Sequence, residues 1–339
     1  MKLFKRCVAV VLAMSMAFGL TACGEEKKPA ADAPAAGVET VTFVLDWTPN
    51  TNHTGLYVAL ANNYFTEAGL DVQVVQPPED GAEVLVASGK AQFGVSFQDY
   101  LAPALVEGME MPITAVAAVI QHNTSGIISR AGEGMDTPKG LEGKKYATWD
   151  LPVEKATMAQ VMAADGGDFS KVERIPSTVT DEVSALKSGN VDAIWIYYAW
   201  GGKACEVSGL DTDYFAFADI DPVFDYYSPV IIANNDYLAK NPQQARAFLS
   251  ALAKGYEFAM ENPVLAADIL MEAAPELKSN TELVYQSQGY LAQQYQADAA
   301  RWGEFDGARW ARFYTWLNEN DLLEGNIDPN SGFTNDYLP

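Results

Sequence analysis

The apolar and polar positions of this chain fall into short runs of two alternating kinds. Residues 41–46 (VTFVLD) are rich in β-formers; a helical run follows through Leu56, Val58, Ala59 and Leu60, with Asn52 or Thr54 placed to cap it. Gly69 ends that unit, and 70–75 (LDVQVV) alternates as a strand does. The pattern then predicts a helix over 82–88 closed by Gly89, a strand over 92–96, a helix over 100–107 and a long strand over 111–120. A second series starts with a strand at 125–130 and a Gly-rich polar stretch at 131–143. Strands are predicted at 144–148, 171–175, 191–197 and 214–217, with helices at 153–164 and 181–186 between them. Residues 229–233 (PVIIA) read as a return strand. From Asp236 the pattern is helical nearly to the end, broken at Asn262-Pro263 and Ala274-Pro275.

Alternating strands and helices of this size mean βα units and a largely parallel sheet. Two such series predict an α/β protein of two lobes, the second inserted into the first. Lobe I is expected to hold 40–128 and 232–339 and lobe II to hold 129–231, with crossing strands near 126–129 and 230–233 as a two-stranded hinge. Ligands of open α/β sheets bind beyond the carboxyl ends of the strands, so two facing lobes predict a cleft between them that can close on a bound molecule.

The first 39 residues do not belong to that body. Lys2, Lys5 and Arg6 precede an apolar run over 7–20, too short and too soon interrupted to span a membrane. The run ends in Leu20-Thr21-Ala22-Cys23, which resembles the lipobox of bacterial lipoproteins. That resemblance implies a signal peptide over 1–22, cleavage before Cys23 and acylation of Cys23. Residues 24–39 (GEEKKPAADAPAAGVE) carry almost no large apolar side chain and cannot offset the cost of ordering. The stretch 23–39 is expected to be a disordered tether with a reach of about 20 Å, holding the folded body just outside a cell membrane by lipid.

Charge and catalytic chemistry narrow the function. The formal charge is −23, and about −26 once the three basic leader residues are gone, which argues against nucleic acid or an anionic lipid surface as ligand. Of three cysteines, Cys7 leaves with the leader and Cys23 is lipidated. Cys205 alone remains, without a disulfide partner, and reads as a packed small hydrophobe. The two histidines, His53 and His122, have no neighbours at metal-ligand spacing, and no nucleophile-elbow, P-loop or zincin pattern occurs. No cofactor is expected.

The segment 46–59 (DWTPNTNHTGLYVA) resembles the substrate-binding proteins of bacterial ABC importers for thiamine-pyrimidine precursors. It is also similar to the fungal thiamine-pyrimidine synthases that share their fold. Further matching stretches are 85–91 (LVASGKA), 93–96 (FGVS) and 192–195 (DAIW). The resemblance implies a type II periplasmic-binding fold and a monomeric receptor that delivers a heteroaromatic ligand to a permease. A pyrimidine of the hydroxymethylpyrimidine or formylaminopyrimidine type is the expected ligand. Riboflavin, another flat heterocycle or a sulfonate is the alternative, and a synthase is the rival class. One departure stands out: pyrimidine-binding relatives commonly carry an acidic residue after the aromatic segment matching 197–200, where this chain has Gly201 and Gly202.

Candidate ligand residues are those past strand ends. Trp47 can stack on a planar ring. Asn50, Asn52 and His53 offer polar groups in the same loop, with helix capping as the competing role of the two asparagines. Phe97 and Gln98 follow the third strand, where a Gln amide can read a ring edge. Gln121 lies at the exit toward the second lobe. There, Trp149 stands to face Trp47 across the cleft, and Glu154 starts a helix. Alternation puts Trp195 and Tyr197 on one face of their strand and Ile194 and Ile196 on the other. Trp195 is expected in the core; Tyr197, Tyr198 and Trp200 are expected in the cleft. The stripe Trp302, Phe305, Trp310, Phe313, Tyr314, Trp316 has the spacing of a packing face.

Overall fold

The computed structural model describes residues 38–339; Cys23, the signal peptide and all but the last two residues of the expected tether lie outside them. The first strand already begins at Glu39, one residue inside the expected tether. Ten strands form two separate five-stranded sheets. The first contains β1 (Glu39–Val44), β2 (Leu70–Val75), β3 (Phe93–Ser96), β4 (Ile113–Ala118) and β10 (Val230–Asn234), in the order β2-β1-β3-β10-β4. The second contains β5 (Ser125–Arg130), β6 (Lys145–Thr148), β7 (Glu173–Pro176), β8 (Ala193–Tyr197) and β9 (Thr212–Ala216), in the order β7-β6-β8-β5-β9.

The two orders are the same plan used twice. In each, β1–β2–β3 or β6–β7–β8 pair in parallel, and one antiparallel strand sits fourth. That fourth strand is the first one the chain forms after arriving from the other sheet. β5 pairs along Ser125–Arg130 with β8 and β9, and β10 pairs along Val230–Asn234 with β3 and β4. The lobe boundaries expected at 128/129 and 231/232 therefore fall inside strands. A strand cannot be divided between two sheets when both of its edges are hydrogen-bonded within one of them. The chain crosses earlier on each pass, through residues 119–124 and 217–229.

Two main cores fill the lobes. One packs Val41, Phe43 and Val58 with Phe248, Leu252 and Tyr256 of the long helix Pro242–Glu261. That helix approaches the helix Thr54–Ala61 closely: a Cβ on Gly255 would stand 2.0 Å from the Gly55 carbonyl oxygen. Glycine at both positions is what permits the crossing, and it seats the loop that follows β1. The other core runs through both sheets, joining Val86 and Ile113 to Tyr146, Met158 and Trp195. The last helix, Gly307–Glu319, completes it with Trp310, Phe313, Tyr314, Trp316 and Leu317, all buried. The aromatic stripe is thus a packing face, as its spacing predicts. Trp195 belongs to this core and Ile194 and Ile196 to a separate cluster on the other face of β8.

Local chemistry sets the helix ends. The breaks expected at Pro263 and Pro275 are helix starts, with proline in the first turn where no N–H is needed. Past the last helix, Thr334 donates to the Ala115 carbonyl at 2.9 Å and so covers the outer edge of β4. Among the described residues no helix is long and apolar enough to cross a membrane.

Candidate functional site

The carboxyl ends of the parallel strands of both sheets meet at the space between the lobes. The decisive contact there joins two candidates far apart in sequence. Phe97, the residue after β3, stacks on Tyr197, the last residue of β8, with ring centroids 6.3 Å apart and planes 23° apart. Tyr100 closes on the edge of Phe97 at 5.2 Å. Phe97 has extended backbone (φ −133°, ψ 147°) and heads the helical turn Gln98–Leu101.

A cavity of about 500 Å³ adjoins this contact. Glu83, Asp99, Tyr100, Pro103, Met109 and Met111 line it from the first lobe, Leu151, Pro152 and Val153 from the second, and Leu322 and Leu323 from the segment after the last helix. Tyr100, Met109 and Leu151 are exposed at its mouth. No lysine, arginine or histidine lines it. Oδ1 of Asp99 is enclosed and has no hydrogen-bond partner among the described residues. Burial pushes the Asp99 carboxyl up to about 7, against backbone hydrogen bonds that favour the carboxylate, and Glu83 adds to the rise. The Tyr197 phenol is raised by burial and, secondarily, by the Asp99 charge, while a hydrogen bond with Ser228 opposes both. Asp46, the second residue beyond β1, also acts on Tyr100 and Tyr197. Asp46, Glu83, Asp99, Tyr100 and Ser228 are candidate site residues that the sequence reading missed. The usable signal is that Asp46 and Asp99 each lie within three residues of a strand's carboxyl end.

Several expected ligand contacts are instead engaged within the protein. Asn50, not Asn52 or Thr54, caps the turn Thr51–His53: its Oδ1 accepts from Asn52 N at 2.9 Å and its Nδ2 donates to the Thr48 carbonyl at 3.1 Å. His53 is 1% exposed, with Nδ1 accepting from Asn50 N at 3.2 Å and Nε2 donating to Asp46 Oδ1 at 2.6 Å. Both ring nitrogens are used, so His53 orients Asp46 and does not face a ligand. Gln98 donates to the Trp310 carbonyl at 2.9 Å and accepts from Tyr227 N at 2.9 Å, wholly buried. Gln121 donates to the Glu304 carbonyl at 3.0 Å. Glu154 accepts from the Tyr146 hydroxyl at 2.7 Å and from Trp149 N and Leu151 N at 3.2 Å each. For Gln98 and Gln121 the buried amide is satisfied by backbone that only the fold brings near, whereas Asn50, His53 and Glu154 are satisfied by groups within eight residues of themselves.

Two aromatics are also redirected. Tyr198 lies between Tyr214 and Tyr290, centroids 4.6 and 5.4 Å away, and its hydroxyl donates to Glu206. Trp200 packs with Tyr57 and Tyr285 against the cluster around Leu270 and Met271. The segment Tyr198–Gly202 is one π-helical turn that butts the second lobe against the first. Its rings serve that contact. Trp47 and Trp149 do stand past their strands, 53% and 45% exposed, but Trp149 leans on Trp195 at 5.9 Å. Asn52 keeps a side-chain amide without an internal partner among the described residues. At Gly201, a Cβ would stand 3.3 Å from the Glu182 carboxyl carbon. A carboxyl from another element thus adjoins the position where the sequence lacks one.

Two other groups lie in settled surroundings. Cys205 is buried and its thiol is pushed up to about 11 by burial. His122 Nδ1 pairs with Asp225 at 2.8 Å and Nε2 with Asp298 at 3.0 Å.

Two α/β lobes with this strand order and an interlobe cleft define the type II periplasmic-binding-protein fold. The alkanesulfonate-binding protein SsuA of Xanthomonas axonopodis pv. citri, solved with MOPS, superposes with a TM-score of 0.65 at 12% identity, covering 88% of this chain and 99% of that one. The aliphatic sulphonate-binding protein SsuA of Escherichia coli gives 0.65 at 14%, covering 86% and 90%. In sequence, a formylaminopyrimidine-binding protein of Halalkalibacterium halodurans is 30% identical over 303 residues, 88% of this chain and 90% of that protein. A 4-amino-5-hydroxymethyl-2-methylpyrimidine phosphate synthase of Saccharomyces cerevisiae is 26% identical over 266 residues, 73% of this chain and 74% of the enzyme. Residues 50–266 match the family described as NMT1/THI5 like, and the chain belongs to that family.

Proposed function

We propose that this chain is the extracytoplasmic solute receptor of an ABC importer and binds a thiamine-related pyrimidine of the hydroxymethylpyrimidine or formylaminopyrimidine type. The observation that carries this reading is the make-up of the interlobe space: flat aromatic faces and carboxyl groups, with no cation lining the cavity. A sulfonate carries a full negative charge and would face Glu83 and Asp99 unpaired, an arrangement that costs several kcal/mol. An aromatic ring bearing N–H donors suits the same surfaces. The likeness to the sulfonate receptors therefore extends to the fold, and the identity to the pyrimidine receptor favours the ligand.

The receptor acts by capture, lobe closure and presentation to the permease, as a monomer, and returns its ligand unchanged. Support for a non-catalytic role is that the thiol of Cys205 and the rings of His53 and His122 are already committed. Acylated Cys23 and the tether hold it outside the cell membrane. Replacing Cys23 with Ser is expected to release the protein or leave an uncleaved precursor; mature-sized protein still in the membrane fraction would refute the anchor.

Calorimetric titration and native mass spectrometry with hydroxymethylpyrimidine, formylaminopyrimidine, riboflavin and an alkanesulfonate test the ligand. One pyrimidine should bind far more tightly than the other two classes and be recovered intact. Preference for the sulfonate or riboflavin, or a chemically altered pyrimidine, overturns the reading.

A further inference from the structure

The Asp99 side chain is the one feature of the cavity that no internal contact explains. Its Oδ1 is enclosed and unpartnered, in a protein where Gln98, the residue beside it, satisfies both ends of its amide. An enclosed carboxyl oxygen without a donor costs free energy that a folded protein does not ordinarily leave uncompensated. The groups that face Asp99 are named by the elements around it. Glu83 comes from the helix Ala82–Ala87, Tyr100 from its own turn, Tyr197 from the end of β8, Tyr226 from the returning linker and Tyr314 from the last helix. None is a cation. Glu83 is itself occupied, accepting from the Ser96 hydroxyl. Nearby, the Ser228 hydroxyl is fully buried beside Tyr197. The pair Phe97 and Tyr197 provides flat apolar rings beside these groups.

We propose that Asp99 selects the ligand of this cleft and that it does so for a basic aminoheterocycle, a ring nitrogen with an amino group on the adjacent carbon, held by two parallel hydrogen bonds on the Asp99 carboxyl. The assignment rests on the pyrimidine reading above and adds which residue recognises the ring and by which edge. The proton balance is simple. A ring that arrives protonated meets the carboxylate and offers two donors. A neutral ring meets the carboxylic acid, which donates to the ring nitrogen and accepts from the amine. Either way the pair holds one shared proton, and no further reactant is needed. Burial brings the acid close to the basicity of such rings, so the proton is shared at neutral pH. A ring with an oxo group in place of the amine is not basic enough to take that proton: its oxygen opposes an oxygen of the carboxylate, and with the carboxylic acid it forms only a neutral pair without charge assistance.

The test compares 4-amino-5-hydroxymethyl-2-methylpyrimidine with its 4-oxo counterpart on wild type and Asp99→Asn, by calorimetric titration at pH 7. Wild type is expected to prefer the amino compound by at least about 30-fold, the scale of a charge-assisted pair. Asp99→Asn has nearly the same shape but a neutral amide that can pair with either edge. It is expected to bind the amino compound on the order of 30-fold more weakly and to retain less than about threefold preference. A purely structural role for Asp99 would weaken both compounds together and keep the ratio. If the Asn variant does not fold by thermal melt, Asp99→Ser carries the same comparison. Unchanged amino affinity or preference in the variant, or wild type that binds the oxo compound as well as the amino one, overturns the assignment while the pyrimidine reading stands. Wild type that binds neither compound, nor formylaminopyrimidine, overturns both.

Discussion

Phe97 and Tyr197 lie in different sheets, yet their rings stack at 6.3 Å across the space between the lobes. Each is the side chain at the carboxyl end of a central parallel strand, β3 or β8, so each lobe contributes its middle strand to the same contact. A flat ligand entering there exchanges ring–ring contact within the protein for ring–ligand contact. Closure is then coupled to binding, because the walls belong to different lobes.

Truncation of these walls should separate affinity from stability. Tyr197→Ala is expected to weaken pyrimidine binding by about 2 kcal/mol, or about 30-fold in Kd. Trp47→Ala should also weaken binding, and at 53% exposure it should cost less than about 1 kcal/mol of folding stability. Calorimetric titration and urea unfolding of both variants check this. Wild-type affinity in both would place the site away from these rings.

The opposite behaviour is expected of the engaged residues. Glu154→Ala leaves the Tyr146 hydroxyl and two backbone N–H groups without their acceptor and should cost about 2–3 kcal/mol of stability. Trp310→Ala empties a fully buried site against Tyr227, Phe305 and Tyr314 and should cost about 3–5 kcal/mol. In the still-folded fraction, pyrimidine Kd should stay within about threefold of wild type. Selective loss of binding at full stability in Glu154→Ala would return that carboxyl to the ligand site.

Asp99 gives the ligand-free protein a pH signature. Its folded pKa, about 7, lies above the ordinary aspartate value of 3.8. Between those values the folded state holds more protons than the unfolded chain, so this group's contribution to stability is complete below about pH 4. It is lost as the pH rises through 7. From pH 5 to pH 8 wild type should lose about 1–3 kcal/mol that Asp99→Asn does not lose. Urea unfolding of both proteins across that range is the measurement, and parallel curves would show that Asp99 ionises normally.

His122 ties the two interlobe connections together. It lies on the first, at 119–124, and its Nδ1 meets Asp225 on the second at 2.8 Å, where Asn123 N also donates to Asp225 at 3.0 Å. The hydrogen bond with Asp225 raises the His122 pKa against partial desolvation. The raised value means that stability from the ion pair is full below the ordinary histidine range and is lost as pH rises through the folded pKa. With the ring 36% exposed and solvent-screened, His122→Ala should cost only about 0.5–1 kcal/mol at pH 6 and less at pH 9. An equal cost at both pH values would show that His122 acts by packing rather than charge.

Particular residues show how far the chain could be read before it was folded. The alternation at 191–197 correctly separated Trp195 from Ile194 and Ile196, because a strand's period is a local property of backbone geometry. The spacing of Trp302, Phe305, Trp310, Phe313, Tyr314 and Trp316 placed them in the core for the same kind of reason. Position past a strand end was a weaker guide. It picked out Phe97 and Tyr197, but equally Gln98, Gln121 and Glu154, whose partners are Trp310, Glu304 and Tyr146. Nothing near Gln98 in sequence announces a carbonyl 212 residues away.

From sequence alone came the two βα series, the breaks at Pro263 and Pro275, and the block at 46–59 that marks the family. These follow from periodicity, capping and composition, which act over a few residues at a time. The tertiary structure decided the rest. It assigned β5 and β10 to the sheets they enter, turned Tyr198 and Trp200 into a contact between lobes, and left Oδ1 of Asp99 without a partner among the described residues. Those outcomes depend on which distant backbone groups meet each side chain's hydrogen-bonding demand, and only the packed chain determines that.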